Sequence, residues 1–486
     1  MVNIRQFLDL LKDNGEFEIE KLTLFFENRC SLEDTLFFTS DSRKVKNNSI
    51  FVAIKGKRVD GHDYVNQSFQ NGALVAIVED SNAYEGLCIK VDSVVQFLNN
   101  LASILYSKYA GYTIAVTGSN GKTTTKEWIK KLLSLFLTKQ SIFANRGNMN
   151  TEIGLPLCIL NEMDERKQLS VIEMGMSKKG DIEYLVDTYK PNYPVILNIG
   201  TAHIGNTGSL ENTFHEKIKL LKYHSFEEPL CLNCSDSFLK KFLEKNKSKK
   251  TILFGYFKDK KVGFTGVYLK QHQHCIQNHE FFTDVKLILT QQKKETEIEA
   301  RLQGFFHQGQ LLNLCAALAV VSSLGYEVSQ ITNLSAFVRP VKDRFEPVFV
   351  GNHLFIKDCY NFSLESLSYA LDLLKNLKTK NSFKRTYCVL GSIAEAGSFD
   401  SEIYDKVGIL LNENQIDVVL LYTKDPGIKG IQRTYKGTIL IFDNISLLSK
   451  EINHQKQAEN KSIFLFKASR SIQLEEVFDH VMDVIN

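Results

Sequence analysis

The stretch Thr117-Gly118-Ser119-Asn120-Gly121-Lys122-Thr123-Thr124-Thr125 puts two glycines, a lysine and a run of hydroxyls into one short loop. The apolar β-type run Tyr112–Val116 enters it, and Ile129, Leu132, Leu133 and Phe136 recur behind it at helical spacing. A strand, a glycine turn and a helix N-terminus aim backbone N–H groups and the positive end of the helix dipole at one point, which suits an anion. Lys122 adds a full charge, and the Thr123 hydroxyl is placed to ligate Mg²⁺. The implied chemistry is the handling of a nucleoside triphosphate, with Gly118, Ser119, Asn120, Gly121, Lys122, Thr123 and Thr124 around its phosphates. The general P-loop pattern also wants a glycine where Val116 stands. A motor-type or signalling NTPase fits less well for that reason.

Other groups with chemistry fall at the ends of apolar runs. Glu173 closes a strand-like stretch, where a carboxylate near a phosphate loop can hold a hard cation. A charge in a buried run needs a partner, so a salt bridge to a helix is the rival reading. His203 follows the strand-like Val195–Ile199, and a ligand role stands there at even odds with a structural one. Asn148 and Asn150 lie in the polar turn Gly147–Gly154 and could read a substrate or simply make turn bonds. Asp358, Tyr360 and Asn361 close another strand, where an acid could hold ribose hydroxyls and a tyrosine could stack on a base. Arg344 lies just upstream and could meet phosphate. Lys217, read locally, is a solvated charge on a helix.

These groups must be positioned by more than one domain, since 486 residues exceed an ordinary single core. Strand signals at Ser49–Ile54 and Ala73–Val78 and a helix at Val95–Tyr106 organise residues 1–108. Alternating strands and helices over 109–330 predict a βαβ sheet, ending in a helix at Leu311–Leu324. Strands at Tyr387–Leu390, Asp417–Tyr422, Thr438–Phe442 and Ile463–Phe466 predict an open parallel sheet over 331–486. The fold class is therefore α/β in three domains, with ligands expected where strand ends face one another. Fifty-nine basic and 56 acidic residues give a net charge of +3, too balanced to argue for nucleic acid or a membrane surface. There is no signal-like N-terminus and no apolar run of spanning length. Nine cysteines, an odd number, read as reduced thiols in a cytoplasmic protein. The Cys231–Cys234 pair lacks a second pair at metal spacing, and His272, His274, Cys275 and His279 read as a surface hairpin.

Taken in order, Asp41–Val45, Phe51–Gly56, Asp60–Asp63, Thr117–Lys126, Gly147–Pro156, Glu173–Gly175, Asn198–His203, Asp358–Ser366, Gly391–Gly397 and Lys467–Arg470 resemble the Mur ligase family of peptidoglycan synthesis, nearest its D-alanyl-D-alanine-adding branch. The resemblance implies a UDP-sugar-binding N-terminal domain, a central P-loop-type ATPase domain and a Rossmann-like C-terminal ligase domain. It implies ATP and Mg²⁺, and as substrates UDP-N-acetylmuramoyl-tripeptide and D-alanyl-D-alanine, with the chain a monomer. By position, Lys122 and Thr123 would hold phosphate and Mg²⁺, and Thr123, Glu173, His203 and Lys217 would make up the metal set. Lys217 matches the family's carbamylated lysine, which overturns its local reading. Lys122, Lys217 and His203 would be the catalytic groups. Asn313, Arg344, Asp358, Tyr360 and Asn361 match nucleotide positions. Ser42 and Arg43 match the UDP-sugar contact, Asn148 and Asn150 the substrate turn, and Lys467, Ser469 and Arg470 the segment near the peptide.

The chain also departs from the family pattern. Gly309 and Gln310 stand where His-Asn is usual, Ser392 and Tyr404 replace an aspartate and a histidine, and Ala468 and Ser471 replace glycines. The implied reaction is amide ligation through an acyl phosphate. A sibling that adds another amino acid, or glutamate to folate, is the near alternative. A silent nucleotide-binding regulator is the distant one, and it has no use for two metal positions.

Overall fold

Strand Tyr112–Thr117 alternates its side chains between two cores, Ala115 in one and Ile114 and Val116 in the other, all fully buried. A strand apolar on both faces belongs inside a sheet covered on both sides. In the computed structural model this strand is the seventh of nine. The order is Lys294–Gln303, Glu280–Gln291, Thr265–Gln277, Thr251–Tyr256, Leu230–Asn233, Tyr193–Ile196, Tyr112–Thr117, Leu169–Glu173 and Ile142–Phe143. The strands pair in parallel from Ile142–Phe143 through Thr265–Gln277. The last two pairings are antiparallel. The structure describes the whole chain except residues 1, 16, 57–58, 81–83, 203, 226, 247–249, 292–293, 332, 341–342, 394–399, 424–428, 460 and 486.

Helix Lys122–Leu133 follows directly and buries Trp128, Ile129, Leu132 and Leu133 against one face. Its apolar spacing does not carry on to Phe136. Leu135 and Phe136 instead donate to the carbonyls three residues back, a tightened last turn. Phe136 then stacks on Tyr326 with centroids 4.8 Å apart. Helix Gln308–Ser323 packs beside it and is buried on nearly every side, with an unbroken apolar run from Leu314 to Val321.

A smaller parallel sheet precedes this one, in the order Phe37–Thr39, Ser49–Val52, Ala73–Val78, Leu87–Lys90. One apolar cluster runs without a break from Val2 through this sheet's inner face and helix Val94–Tyr109 to Tyr268. The first hundred residues thus share a core with one face of the central sheet. The third sheet has the order Glu346–Val350, His353–Asp358, Ser462–Lys467, Arg385–Leu390, Val418–Tyr422, Thr438–Phe442. Only its first pairing is antiparallel. Its middle strands end at Asp358, Lys467 and Leu390, where chain order switches direction and a ligand crevice is expected.

The histidine-rich stretch is a hairpin, turning at Asn278 and His279 with φ of 51° and 62°. His274 is buried and bonds the Phe306 carbonyl at 2.9 Å; burial pulls its pKa down to about 4. Cys231 and Cys234 are buried core thiols, and burial raises both well above a reactive range. No helix among the described residues is long and apolar enough to cross a membrane.

Candidate active site

Gly121 opens the phosphate-loop helix at φ 85°, and a Cβ there would lie 2.3 Å from the Asn313 side-chain oxygen. Only glycine fits both demands. The loop is tied to neighbouring strand ends. Asn120 N donates to Asn198 Oδ1 at 2.8 Å, and Asn198 Nδ2 returns a bond to the Asn120 carbonyl at 3.0 Å. Gly200 N donates to Ser119 Oγ at 2.8 Å, and Thr117 Oγ1 donates to the Met174 carbonyl at 2.9 Å. Lys122 Nζ donates to the Gly118 and Ser119 carbonyls at 2.8 and 3.2 Å, so its ammonium lies over the loop.

Glu173 ends strand Leu169–Glu173 beside this loop and is buried. Asn150 Nδ2 donates to its Oε1. Its Oε2 is buried with no hydrogen-bond partner among the described residues. No salt bridge to a helix is found for it among those residues. The Asn148–Asn150 turn is held by two groups behind it. Lys126, fully buried, donates to the Asn145 and Gly147 carbonyls. The Asn145 amide accepts from Glu173 N at 2.8 Å and donates to the Met149 carbonyl at 2.8 Å.

Lys217 is fully buried in helix Leu210–Ile218, and its Nζ has no partner among the described residues. Burial first, and repulsion from Lys122 second, push its pKa well below the lysine value, which favours the neutral amine. The surface charge expected from its local setting is therefore not what the fold produces. Its neighbour Glu216 caps helix Asp181–Tyr189, accepting from Gly180 N at 2.9 Å. His203 lies outside the described residues, as do Ala394–Gly397; Thr201 and Ala202 line the site.

The third sheet supplies the opposite wall. The Arg344 guanidinium lies 4.0 Å from the Tyr360 ring centre, and its Nη2 is 3.4 Å from Thr123 Oγ1. Asn361 Nδ2 and Ser363 Oγ both donate to Asn120 Oδ1 at 3.3 Å. Glu365, in the first turn of helix Leu364–Asn381, accepts from Thr201 N at 2.9 Å and from its hydroxyl at 3.0 Å. These polar contacts thus join the two sheets across the loop.

Between the walls lie two chambers that share Asn120, Gly121, Arg344, Tyr360 and Asn361. One, of about 320 Å³, is lined by Asn313, Asp358, Lys467, His307, Tyr256 and Tyr369 among others. The Gly309 position holds no side chain because the Tyr369 ring lies 2.8 Å from where its Cβ would be. His307 stacks on that ring at 5.6 Å. The other, of about 370 Å³, is lined by Lys122, Thr123, Asn148, Asn150, Glu173, Ser469 and Arg470 among others.

Most of the expected residues therefore meet in one cleft. Lys467 parts company with Ser469 and Arg470: its ammonium turns into the first chamber, 2.5 Å from Asp358, fully buried. The reason is that Lys467 is the last residue of strand Ser462–Lys467, whereas Ser469 and Arg470 belong to the tight turn Arg470–Ile472 that follows it. Ser42 and Arg43 line neither chamber. Ser42 Oγ donates to Gln67 and Arg43 pairs with Asp41 at 2.9 Å in the tight turn Ser42–Lys44 that follows the first strand of the small sheet. No role follows from the sequence for Lys126, Asn145, Asn198, Asp343 and Glu365. They act through contacts far apart in the chain, and a local pattern carries no trace of them.

The chain matches two family models, the Mur ligase middle domain over residues 116–321 and the Mur ligase family, catalytic domain, over 36–106. It is 30% identical over 454 residues to a UDP-N-acetylmuramoyl-tripeptide–D-alanyl-D-alanine ligase of Synechocystis, covering 91% of each chain. A Haemophilus influenzae ligase of the same name is 29% identical, with 92% of this chain and 93% of that one covered. Among solved structures, the MurF ligase of Thermotoga maritima in complex with ADP superposes with a TM-score of 0.76 at 29% identity, covering 93% of this chain and 98% of that one. The chain belongs to the Mur ligase family and is of the MurF type.

Proposed function

We propose that this cleft carries out ATP-dependent amide ligation, adding D-alanyl-D-alanine to UDP-N-acetylmuramoyl-tripeptide through an acyl phosphate. One observation carries the reading: two chambers joined at the phosphate loop, one walled by aromatic rings and amides, the other by Lys122, Glu173 and Arg470. A nucleotide laid across them has its base on the first side and its terminal phosphate on the second. The names of the relatives support the same substrates.

In this reading the Gly118–Thr124 loop cradles the phosphates, and Asn313, Asp358, Tyr360 and Asn361 surround base and ribose. Lys122 and Arg344 neutralise charge that develops on the transferring phosphoryl group. A carboxylate is a poor electrophile because oxide would have to leave; as an acyl phosphate it loses phosphate instead. The amine then attacks, and the tetrahedral intermediate collapses to amide. The third sheet, resting on the loop, keeps water from the acyl phosphate. Residues 1–108, with Ser42 and Arg43, receive the UDP-sugar; residues 109–330 handle ATP; residues 331–486 bring Ser469 and Arg470 to the peptides.

The donor set suits Mg²⁺. Glu173 Oε2 is a buried oxygen without a partner among the described residues, and the Thr123 hydroxyl stands in the same chamber. Those two, with His203 and a carbamylated Lys217, would hold the ion, which would supply charge neutralisation at the phosphates. The neutral Lys217 amine is the form that can take up CO₂.

A phosphate-release assay with UDP-muramoyl peptides and D-amino-acid dipeptides tests this. Turnover should require ATP, Mg²⁺, the tripeptide precursor and D-alanyl-D-alanine together, and Lys122→Ala should lower it about 100-fold or more. Equal turnover with glutamate and a folate acceptor, or indifference to Lys122→Ala, would overturn it.

A further inference from the structure

Asp343 and Phe345 are held at φ 59° and 58°, with Arg344 between them. Left-handed backbone costs free energy in residues with a Cβ and persists only where surroundings impose it. At Asp343 the surroundings are two cations. Its buried carboxylate lies 3.2 Å from Lys357 Nζ and 3.0 Å from Arg470 Nη1. Lys357 is anchored in turn to Asp479 at 2.9 Å. Burial alone would raise the Asp343 pKa, yet the hydrogen bonds from Lys357 and Arg470 leave it below the usual carboxylate value.

Arg470 is the informative partner. Its side chain is 56% exposed and lines the second chamber beside Ser469 and Ser471. Glu475 also reaches it, and both carboxylates meet the same nitrogen, Nη1, at 3.0 and 3.2 Å. Guanidinium has five donors in a planar fork. With Nη1 engaged from behind, the Nε–Nη2 edge is presented as a pair of parallel donors, the geometry that grips a carboxylate.

We propose that Asp343 is a positioning residue that aims Arg470 at a carboxylate of a peptide substrate, while its left-handed backbone sets Arg344 across the junction of the two chambers. The ligase reading supplies the identity of that substrate; the contact itself does not depend on it. The carboxylate belongs either to the incoming dipeptide or to the acceptor peptide, and the two are separable by kinetics.

Asp343→Asn tests this, since Asn tolerates the left-handed conformation while losing the charge. Arg470 should react about tenfold faster with phenylglyoxal, read by peptide mass spectrometry, because the guanidinium then keeps, among the described residues, only its Glu475 contact. The KM for one peptide substrate should rise about tenfold with KM for ATP changed by less than about twofold, and the affected substrate is the source of the carboxylate. Asp343→Gly, which relieves the backbone, must reproduce the gain in Arg470 reactivity. An unchanged modification rate, an equal rise in all KM values, or a KM effect that persists in an Arg470→Ala background overturns the proposal. Absence of any turnover in the parent protein would sink the ligase reading alone, and the modification rate would still decide this one.

Discussion

Lys217 concentrates the physical tension of the site in one side chain. A fully buried amine with no partner among the described residues, and with Lys122 nearby, has its pKa driven well below the ordinary lysine value. In unfolded chain the same amine holds its proton up to the ordinary lysine value of 10.5. Between the lowered folded pKa and that value the unfolded state binds more protons, so folding stability increases with pH across that window. Lys217→Met removes the buried amine. In carbonate-free buffer its melting temperature should exceed that of the parent at neutral pH, and the gap should close as pH approaches about 10. Ligase turnover should fall about 100-fold or more at the same time, since a thioether cannot form a carbamate. Parallel melting curves for the two proteins across the range would refute the neutral assignment.

Among the elements, the strand–loop–helix unit around Gly121 is the one whose sequence signature is local, although its loop is braced by Asn198, Gly200 and Asn313. Gly121→Ala asks an alanine to adopt φ 85° and to share space with the Asn313 amide. Left-handed alanine costs about 1–2 kcal/mol, and the clash displaces a residue of the base chamber. A loss of about 2 kcal/mol in denaturant unfolding is expected, together with weakened binding of a fluorescent ATP analogue. Retention of both properties would mean the loop is not shaped as described. This unit was also the most legible, because its message is local: Tyr112–Thr117, Gly121 and Lys122 are adjacent in sequence and in space. Glu173 and the Asn148–Asn150 turn were readable as candidates, but not the Lys126–Asn145 bracket that ties them together across 19 residues. Apolar spacing alone carries the helix on to Phe136, but that side chain stacks on Tyr326 and the helix ends at Leu133. Adjacency groups Lys467 with Ser469 and Arg470, whereas the strand ends at Lys467 and the turn after it carries the other two to the second chamber. Asp343 and Arg470 are separated by 127 residues, and nothing in either segment announces the other.

For the molecule as a whole, the question is what keeps the third sheet facing the phosphate loop. The hydrogen bonds at Arg344, Asn361, Ser363 and Glu365 are short-range and polar, and water can replace each of them. A second, apolar hold lies away from the site. The antiparallel extension of the central sheet, Thr265–Gln277 with Glu280–Gln291, reaches across to the third sheet. There Phe281 stacks on Phe349 with centroids 5.2 Å apart, and His279 meets the same ring at 5.1 Å. Phe305, also from the central unit, is buried in the third sheet's core. This arm sets the orientation that the polar contacts then complete. Phe281→Ala forfeits an aromatic pair worth about 1 kcal/mol beyond its buried area, which multiplies the population of open forms by about five. Apparent affinity scales with the competent fraction, so KM for ATP should rise up to about fivefold while kcat at saturation is kept. Small-angle scattering should show a larger radius of gyration for the variant without nucleotide, and the difference should vanish once ADP is added. An unchanged radius with unchanged KM would mean that the polar contacts hold the sheets together on their own, and that the hairpin is packing without mechanical consequence.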